Sequence, residues 1–408
     1  MKTTEQLDRD DTLGFLRQLY DLPNDKCYLD GNSLGALSHS VKAAMEEVVN
    51  REWGESLIGG WNSHGWLELP LRVGDKLGAL LGASAGETLC CDNLSINLFK
   101  ALAAALELQA PRKKIITEAT HFSTDNYIGE GLARLLGPDR CEVVAIPLDD
   151  LDTTDLHDAA VVSLAHVDFR TGACRDIAGI TKRVHNAGAL VLWDLAHSAG
   201  VIDPGLNANQ VDMAVGCTYK FLNGGPGAPG FLYVAERHHQ AMNPIPGWMG
   251  HADLFAFESS YRPATGIRRF LTGTQSVISM KAVHAALKDF DGVSIDALRA
   301  KSLALSDHFL SLLDHNPVTR DVTCLTPRNP SQRGSQISLR LPMGYPISQA
   351  LIARGIIVDF REPDIVRFGF SPLYNSFAEV QSAVTTLADI LRTECYRDAR
   401  YQQRQTVT

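Results

Sequence analysis

Five short apolar runs punctuate the middle of the chain: Ile115-Ile116-Thr117, Val143-Val144-Ala145-Ile146, Ala160-Val161-Val162-Ser163-Leu164, Ala189-Leu190-Val191-Leu192-Trp193 and Met213-Ala214-Val215-Gly216-Cys217. None alternates apolar with polar residues, so each predicts a strand buried on both faces. Between the third and fourth lies an amphipathic stretch, Ile177 to His185, closed by Asn186-Ala187-Gly188 as a helix stop. This rhythm predicts an α/β fold around a mainly parallel sheet.

Upstream, Asp92-Asn93 offers cap residues to an Ala- and Leu-rich helix from Leu94 to Leu108. Such a helix begins with free backbone N–H groups. Beyond about residue 290 the pattern changes to a long helix, Ser294 to Leu313, strand-like Gln336 to Leu341, and a final helix from Ser376 to about Cys395. For 408 residues this predicts a large and a smaller domain. The expected division is 1–50 as an N-terminal segment packing on the small domain or a partner subunit, 51–288 as the large domain and 289–408 as the small one. The polar end, Gln402 to Thr408, is expected to be a loose tail.

A formal net charge of −9 argues against a nucleic-acid surface. The run Arg112-Lys113-Lys114 is read as a solvated turn before a strand. Acidic residues rather than an apolar stretch follow Met1 to Gln6, so no signal peptide is expected, and no run approaches the roughly 18 apolar residues of a membrane span. The expected location is the cytoplasm. Eight cysteines without a C-x-x-C pair are read as reduced core residues, and no metal role is expected. His238-His239, after the expected strand Phe231 to Val234, is read as a solvated helix start.

In an open parallel sheet, ligands sit beyond the carboxyl ends of the strands. Asp194 ends the fourth run, with His197 three residues on, and Lys220 follows the fifth run after Thr218-Tyr219. That pairing fits pyridoxal phosphate: a carboxylate keeps the pyridine nitrogen protonated, and a lysine amine forms a Schiff base. Alone, Asp194 would more simply be a cap and Lys220 half of an ion pair. Gly224-Gly225-Pro226-Gly227, directly after the lysine, lets the chain turn closely around a bound group. That run has the spacing of neither a P-loop nor a dinucleotide fingerprint. The helix start at Leu94-Ser95 offers donors to a phosphate.

With these residues in place, the chain resembles the kynureninase family, pyridoxal phosphate enzymes of fold type I. The marks are Leu29-Asp30-Gly31-Asn32-Ser33-Leu34-Gly35, Trp193-Asp194-Leu195-Ala196-His197, Tyr219-Lys220-Phe221-Leu222-Asn223, Gly247-Trp248-Met249-Gly250-His251 and Ser371-Pro372-Leu373-Tyr374-Asn375-Ser376-Phe377. The second and third fix only the superfamily; the last two are more specific. The resemblance implies a large domain on a mainly parallel seven-stranded sheet and a smaller α+β C-terminal domain. It implies hydrolysis of the Cβ–Cγ bond of L-kynurenine, and of its 3-hydroxy derivative to a lesser degree, to an anthranilate and L-alanine. The setting it implies is tryptophan catabolism by the kynurenine pathway, which leads to NAD biosynthesis.

It further implies that Lys220 carries the cofactor and moves protons, with Tyr219 as acid or relay and Asp194 on the pyridine nitrogen. Phe122 would stack on the ring. Leu94, Ser95 and Tyr219 would contact the phosphate side, and Ser123, Thr124, Asp125 and His197 would line the cofactor. Trp248 and Thr274 would arrive from the other subunit of a homodimer, giving shared active sites. Arg367 would grip the substrate carboxylate, while His64, Trp248 and Thr274 would meet its aromatic end. Ala165 departs from the pattern, standing where a small hydroxyl residue is expected, and His166 is the neighbour that could replace the lost hydrogen bond. Two other readings stand beside this one. A cysteine desulfurase would need a mobile reactive cysteine, for which Cys324 is the candidate, although Val322 to Leu325 reads as a strand. A non-catalytic cofactor-binding module would have no use for Arg367.

Overall fold

The computed structural model describes residues 2–405. Its central sheet has seven strands: β1 (Thr88–Cys90), β2 (Lys114–Glu118), β3 (Glu142–Ile146), β4 (Ala159–Ala165), β5 (Leu190–Asp194), β6 (Met213–Cys217) and β7 (Gly230–Val234). Their order is β1-β7-β6-β5-β4-β2-β3, and β7 runs antiparallel to both neighbours while the remaining pairs are parallel. Strands β4 to β7 are buried at every residue, which is why their sequences read as unbroken apolar runs.

Helices cover both faces. On one lies α1 (Leu94–Leu108), capped by Asn93, whose side chain accepts from the Ile96 N–H at 3.0 Å. Its Leu98, Leu102 and Ala105 pack with Leu192 and Leu232 of the sheet. Trp193 points to the other face, where it joins Val184 of α3 (Ile177–Asn186). Between these in sequence is α2 (Ser123–Leu136). Helix α3 stops at Gly188, whose φ of +72° is left-handed backbone that suits glycine. Arg112, expected in solvent, instead spans to this stop: its Nη1 donates to the carbonyls of Ala187 at 3.0 Å and Ala159 at 3.2 Å.

The expectation for His238 also fails. His238 sits in a short 3₁₀ turn, Glu236–His238, but its Nε2 lies 2.8 Å from Asp212 Oδ1. Asp212, 2 % exposed just before β6, gathers donors because a buried carboxylate needs them. Arg237 reaches it at 2.6 Å, while His185 Nε2 and the Val191 N–H each stand 2.8 Å away. Burial opposes its charge, but the bonds from His238, His185, Val191 and Arg237 prevail and hold the carboxyl at about 2. A folded-state value below the ordinary ~3.9 means stabilisation that is present above about pH 4 and lost as the pH falls toward 2. Asp212→Asn should therefore cost roughly 3 kcal/mol at neutral pH and flatten the fall of Tm between about pH 4 and 2, as read by calorimetry.

After α4 (Ile295–His315) the chain builds a second, antiparallel sheet from β8 (Thr323–Cys324), β9 (Gln336–Arg340), β10 (Asp359–Arg361) and β11 (Ile365–Gly369), in the order β10-β11-β9-β8. With α5 (Gly344–Ala353) and α6 (Phe377–Thr393) it encloses its own core around Phe309, Phe368, Phe370, Val380 and Leu387. The Ser376–Glu379 capping box starts α6. The chain's beginning joins this unit. The Asp8 carboxylate, on the helix Thr4–Asp10, accepts from the Phe377 and Ala378 N–H groups at 2.7 and 2.9 Å, and Cys27–Tyr28 pairs in parallel with Ile356–Ile357.

Of the tail expected to be loose, 406–408 lie outside the described residues. The rest is docked: Tyr345 Oη donates to the Gln403 carbonyl at 3.0 Å and accepts from the Gln405 N–H at 2.8 Å, with the Arg404 guanidinium 4.3 Å from the Tyr345 ring centre. Among the described residues no helix is long and apolar enough to cross a membrane.

Candidate active site

The carboxyl ends of β2, β4, β5 and β6 converge on a cavity of about 270 Å³, as expected where parallel strands leave their ends open. Of the residues singled out from the sequence, Leu94, Ser95, Phe122 and Thr124 line it on the helix side, and Asp194, His197, Tyr219 and Lys220 on the strand side. Lys220 is held there by a tight turn: the Gly224 N–H donates to the Thr218 carbonyl at 2.8 Å, and the Asn223 N–H to the Lys220 carbonyl at 2.9 Å. Gly225 and Gly227 complete it with φ of +91° and +70°. The Asp30-to-Gly35 motif abuts this turn. The Gly35 N–H donates to the Tyr219 carbonyl at 2.7 Å, and a Cβ at Gly35 would stand 2.3 Å from the Lys220 carbonyl oxygen, so a larger residue would displace the lysine.

Lys220 Nζ lies 2.8 Å from His197 Nε2. Burial, reinforced by the Lys220 charge, pushes the His197 imidazole well below its usual range, so it is neutral at pH 7. Asp194 Oδ1 accepts from the Ala196 N–H at 2.7 Å. Its carboxyl is raised by burial, against the pull of the lysine. Asp125, 4 % exposed, is raised further, by burial and then by the charge of Asp194.

Sequence reasoning missed His121. It is 5 % exposed, lines the cavity, and has its Nδ1 at 3.6 Å from Asp125 Oδ2; burial lowers it to about 4, so it too is neutral. Its position between the end of β2 and Phe122 was the available signal. Ligand atoms of His121, Asp125 and Asp194 lie within 4.8 Å of one another. Both nitrogens of His121, both carboxylate oxygens of Asp125 and Nδ1 of His197 have no hydrogen-bond partner among the described residues. So many orphaned polar atoms around one cavity mark a place built for a polar guest. Pyridoxal phosphate fits this donor set. The acids suit a protonated ring nitrogen, Lys220 suits the aldehyde carbon, and the unpaired N–H groups at the start of α1 suit the phosphate.

Below the cavity, Arg175 ties two strand ends together, donating to Glu118 and, at 2.6 Å, to the Ala165 carbonyl. His166 does not make up for the missing hydroxyl at Ala165. Its ring turns away toward Trp193, with Nε2 at 3.3 Å from Cys174 Sγ. Ser123 is exposed at the start of α2 and does not line the cavity. Within one chain, Trp248, Thr274 and His64 stand apart from the cavity. Trp248 is 38 % exposed beside Phe255, Thr274 is exposed, and His64 Nε2 lies 2.9 Å from Ser56 Oγ. Arg367 is buried on β11, close to the loop that carries Phe169, whose ring meets Phe122 edge-on at 5.3 Å. Cys324 lies in β8, half-buried, with its thiol raised by burial, unlike a mobile nucleophile.

Among solved structures the chain is similar to a cysteine desulfurase from Thermococcus onnurineus NA1, with a TM-score of 0.76 and 20% identity over 96% of this chain and 99% of that one. At that identity the likeness speaks for the fold, which is that of the pyridoxal phosphate-dependent enzymes of fold type I. A family model described as the kynureninase C-terminal domain matches residues 298–387. A kynureninase of Burkholderia pseudomallei is 48% identical over the whole of both chains, and one of Pseudomonas fluorescens is 44% identical over 98% of each. The chain belongs to the kynureninase family.

Proposed function

We propose that this chain hydrolyses the Cβ–Cγ bond of L-kynurenine to anthranilate and L-alanine, with pyridoxal phosphate held on Lys220. The observation that carries this reading is the lysine amine standing in the cavity with Asp194 and His197, Asp125 lying behind its lining close to His121 and Asp194, in a chain related to kynureninases over its full length. When bound, the cofactor supplies an aldehyde that joins the substrate amine and a cationic ring that draws electrons from the substrate's α-carbon.

The chain's own residues do the rest. Asp194 faces the ring nitrogen and keeps it protonated, with Asp125 and His121 alongside. Phe122 covers the ring face. The N–H groups of Leu94 and Ser95, with the Ser95 and Tyr219 hydroxyls, hold the phosphate; Thr124 and His197 line the rest. Lys220 Nζ takes the proton from the substrate Cα and returns one there. Once water has added at Cγ and that carbon leaves as the anthranilate carboxylate, Tyr219, raised by the neighbouring Cys217 and by burial and so still holding its phenolic proton at neutral pH, can deliver it to the Cβ left behind. Arg367 holds the α-carboxylate. In a homodimer, Trp248 and Thr274 of one subunit reach the other's cofactor and, with His64, the aromatic end of the substrate. The small Thr274 favours L-kynurenine over its 3-hydroxy derivative. The 51–288 and 289–408 division is supported by the core around Phe309 and Phe368, which is drawn mainly from the second stretch, although Phe290, Leu298, Leu373 and Tyr374 pack with the core of the first. Work in the cytoplasm, in tryptophan catabolism, completes the proposal.

Release of anthranilate, followed by its fluorescence, tests the reaction; a yellow protein that releases none would refute it. Tyr219→Phe should lower kcat roughly 10²-fold and weaken cofactor binding by less than that, because Lys220 and Asp194 remain. Equal turnover would remove Tyr219 from the proton path.

A further inference from the structure

Arg367 and Asp359 face each other directly across the β10–β11 pair. A guanidinium offers two edges that can each take a carboxylate. Asp359 takes the lateral edge, its Oδ1 accepting from Nε at 2.7 Å and its Oδ2 from Nη2. The end-on edge meets only neutral oxygens: Nη1 donates to the Phe169 carbonyl at 2.5 Å, and Nη2 to Ser33 Oγ at 3.0 Å. Phe169 belongs to the cavity wall, so this is the edge nearer the substrate. Gln336 Nε2 donates to the same carbonyl at 3.0 Å, so an anion placed there would find a second donor waiting.

Asp359 is itself fixed from three sides. Besides Arg367, it receives Ser33 Oγ at 2.5 Å and Arg361 Nη2 at 2.9 Å. It is 1 % exposed, and although burial opposes its charge, the bonds from Arg367 and the field of Arg361 hold the carboxyl below its usual range. The nearby Asp30 is raised to about 7 by burial and by the charge of Asp359. Two arginines, Arg361 and Arg367, thus share the one carboxylate of Asp359, whose charge in turn raises Asp30.

We infer that Asp359 is a positioning residue: it locks the lateral edge of Arg367 so that the end-on edge, now on the Phe169 carbonyl and Ser33 hydroxyl, is presented to the substrate's α-carboxylate. The inference rests on the reading of Arg367 given above. A carboxylate displaces two neutral oxygens there; it does not compete with Asp359.

The test compares holoenzyme variants on L-kynurenine, and on two inhibitors that differ only in having or lacking the α-carboxylate. Asp359→Asn should raise KM about 30-fold with kcat within roughly threefold, and weaken the acid but not the amine. Asp359→Glu should recover part of the loss. An unchanged KM, or equal weakening of both inhibitors, overturns the inference, the latter by showing a merely structural role. Should Asp359→Asn not fold, the double variant Asp359→Asn/Arg361→Gln removes one charge of each sign and should show the same acid-selective loss; normal binding of the acid overturns the inference. Arg367→Gln separates the two ideas. If it still distinguishes acid from amine, the reading of Arg367 fails and this inference with it. If only Asp359→Asn still distinguishes them as the parent does, the inference alone fails.

Discussion

Lys220→Ala is expected to abolish the borohydride-reducible link between chain and cofactor and to lower turnover by on the order of 10³-fold or more. Lys220 is the only lysine lining the cavity among the described residues, so no other amine can take its place there. Its loss removes the covalent anchor and the base for the Cα proton together, and each function alone is worth orders of magnitude. The fold should survive. Among the described residues Lys220 forms no direct ion pair with a carboxylate, and the His197 ring left behind is already neutral. Mass measurement after borohydride treatment checks the link directly. A reduced adduct still present in the variant would move the cofactor to another residue.

The second large effect is expected at Asp194. Asparagine keeps the shape and the bond from the Ala196 N–H, but removes the charge that holds a proton on the ring nitrogen. In a site with Asp194 8 % exposed, that loss is little screened by water. Asp194→Asn should lower kcat about 10²- to 10³-fold, a typical magnitude for one preorganised electrostatic partner. Asp125 complicates the outcome usefully. Its carboxyl is raised partly by the charge of Asp194, so the same substitution should let Asp125 ionise at a lower pH. A pH titration of the bound cofactor's absorbance should therefore shift in the variant; full activity with an unshifted titration would show that the ring nitrogen has another partner.

The sheet was legible where burial is symmetrical. Strand β6 and helix α1 have the ends expected from their patterns, because a strand with two dry faces and an Ala/Leu-rich helix behind an asparagine cap leave little choice. The reversed direction of β7 left no trace in its residues, since Gly230–Val234 is apolar on both faces whichever way it runs. In the site, Asp194 and Lys220 could be found because strand ends are where ligands go. His121 obeys the same rule and was passed over beside the more conspicuous Phe122. His238 could not be placed from its neighbours, because its partner Asp212 lies 26 residues upstream and the contact exists only once β6 and β7 pair. Trp248, Thr274 and His64 were expected at the site from the resemblance alone, and none of them lines the cavity of the single chain.

The pairing of Cys27–Tyr28 with Ile356–Ile357 has a consequence during synthesis. The ribosome delivers the first of these segments about 330 residues before the second, on the order of 15–65 s earlier at roughly 5–20 residues per second. In that interval the strands from β1 to β7 can assemble and Gly35 can already meet the Tyr219 carbonyl, while Cys27–Tyr28 and Asp30 still lack Ile356–Ile357 and Gly369. The nascent large domain can thus hold its lysine turn before the strand that pins Cys27–Tyr28 exists, and the side of Arg367 is among the last things the chain makes.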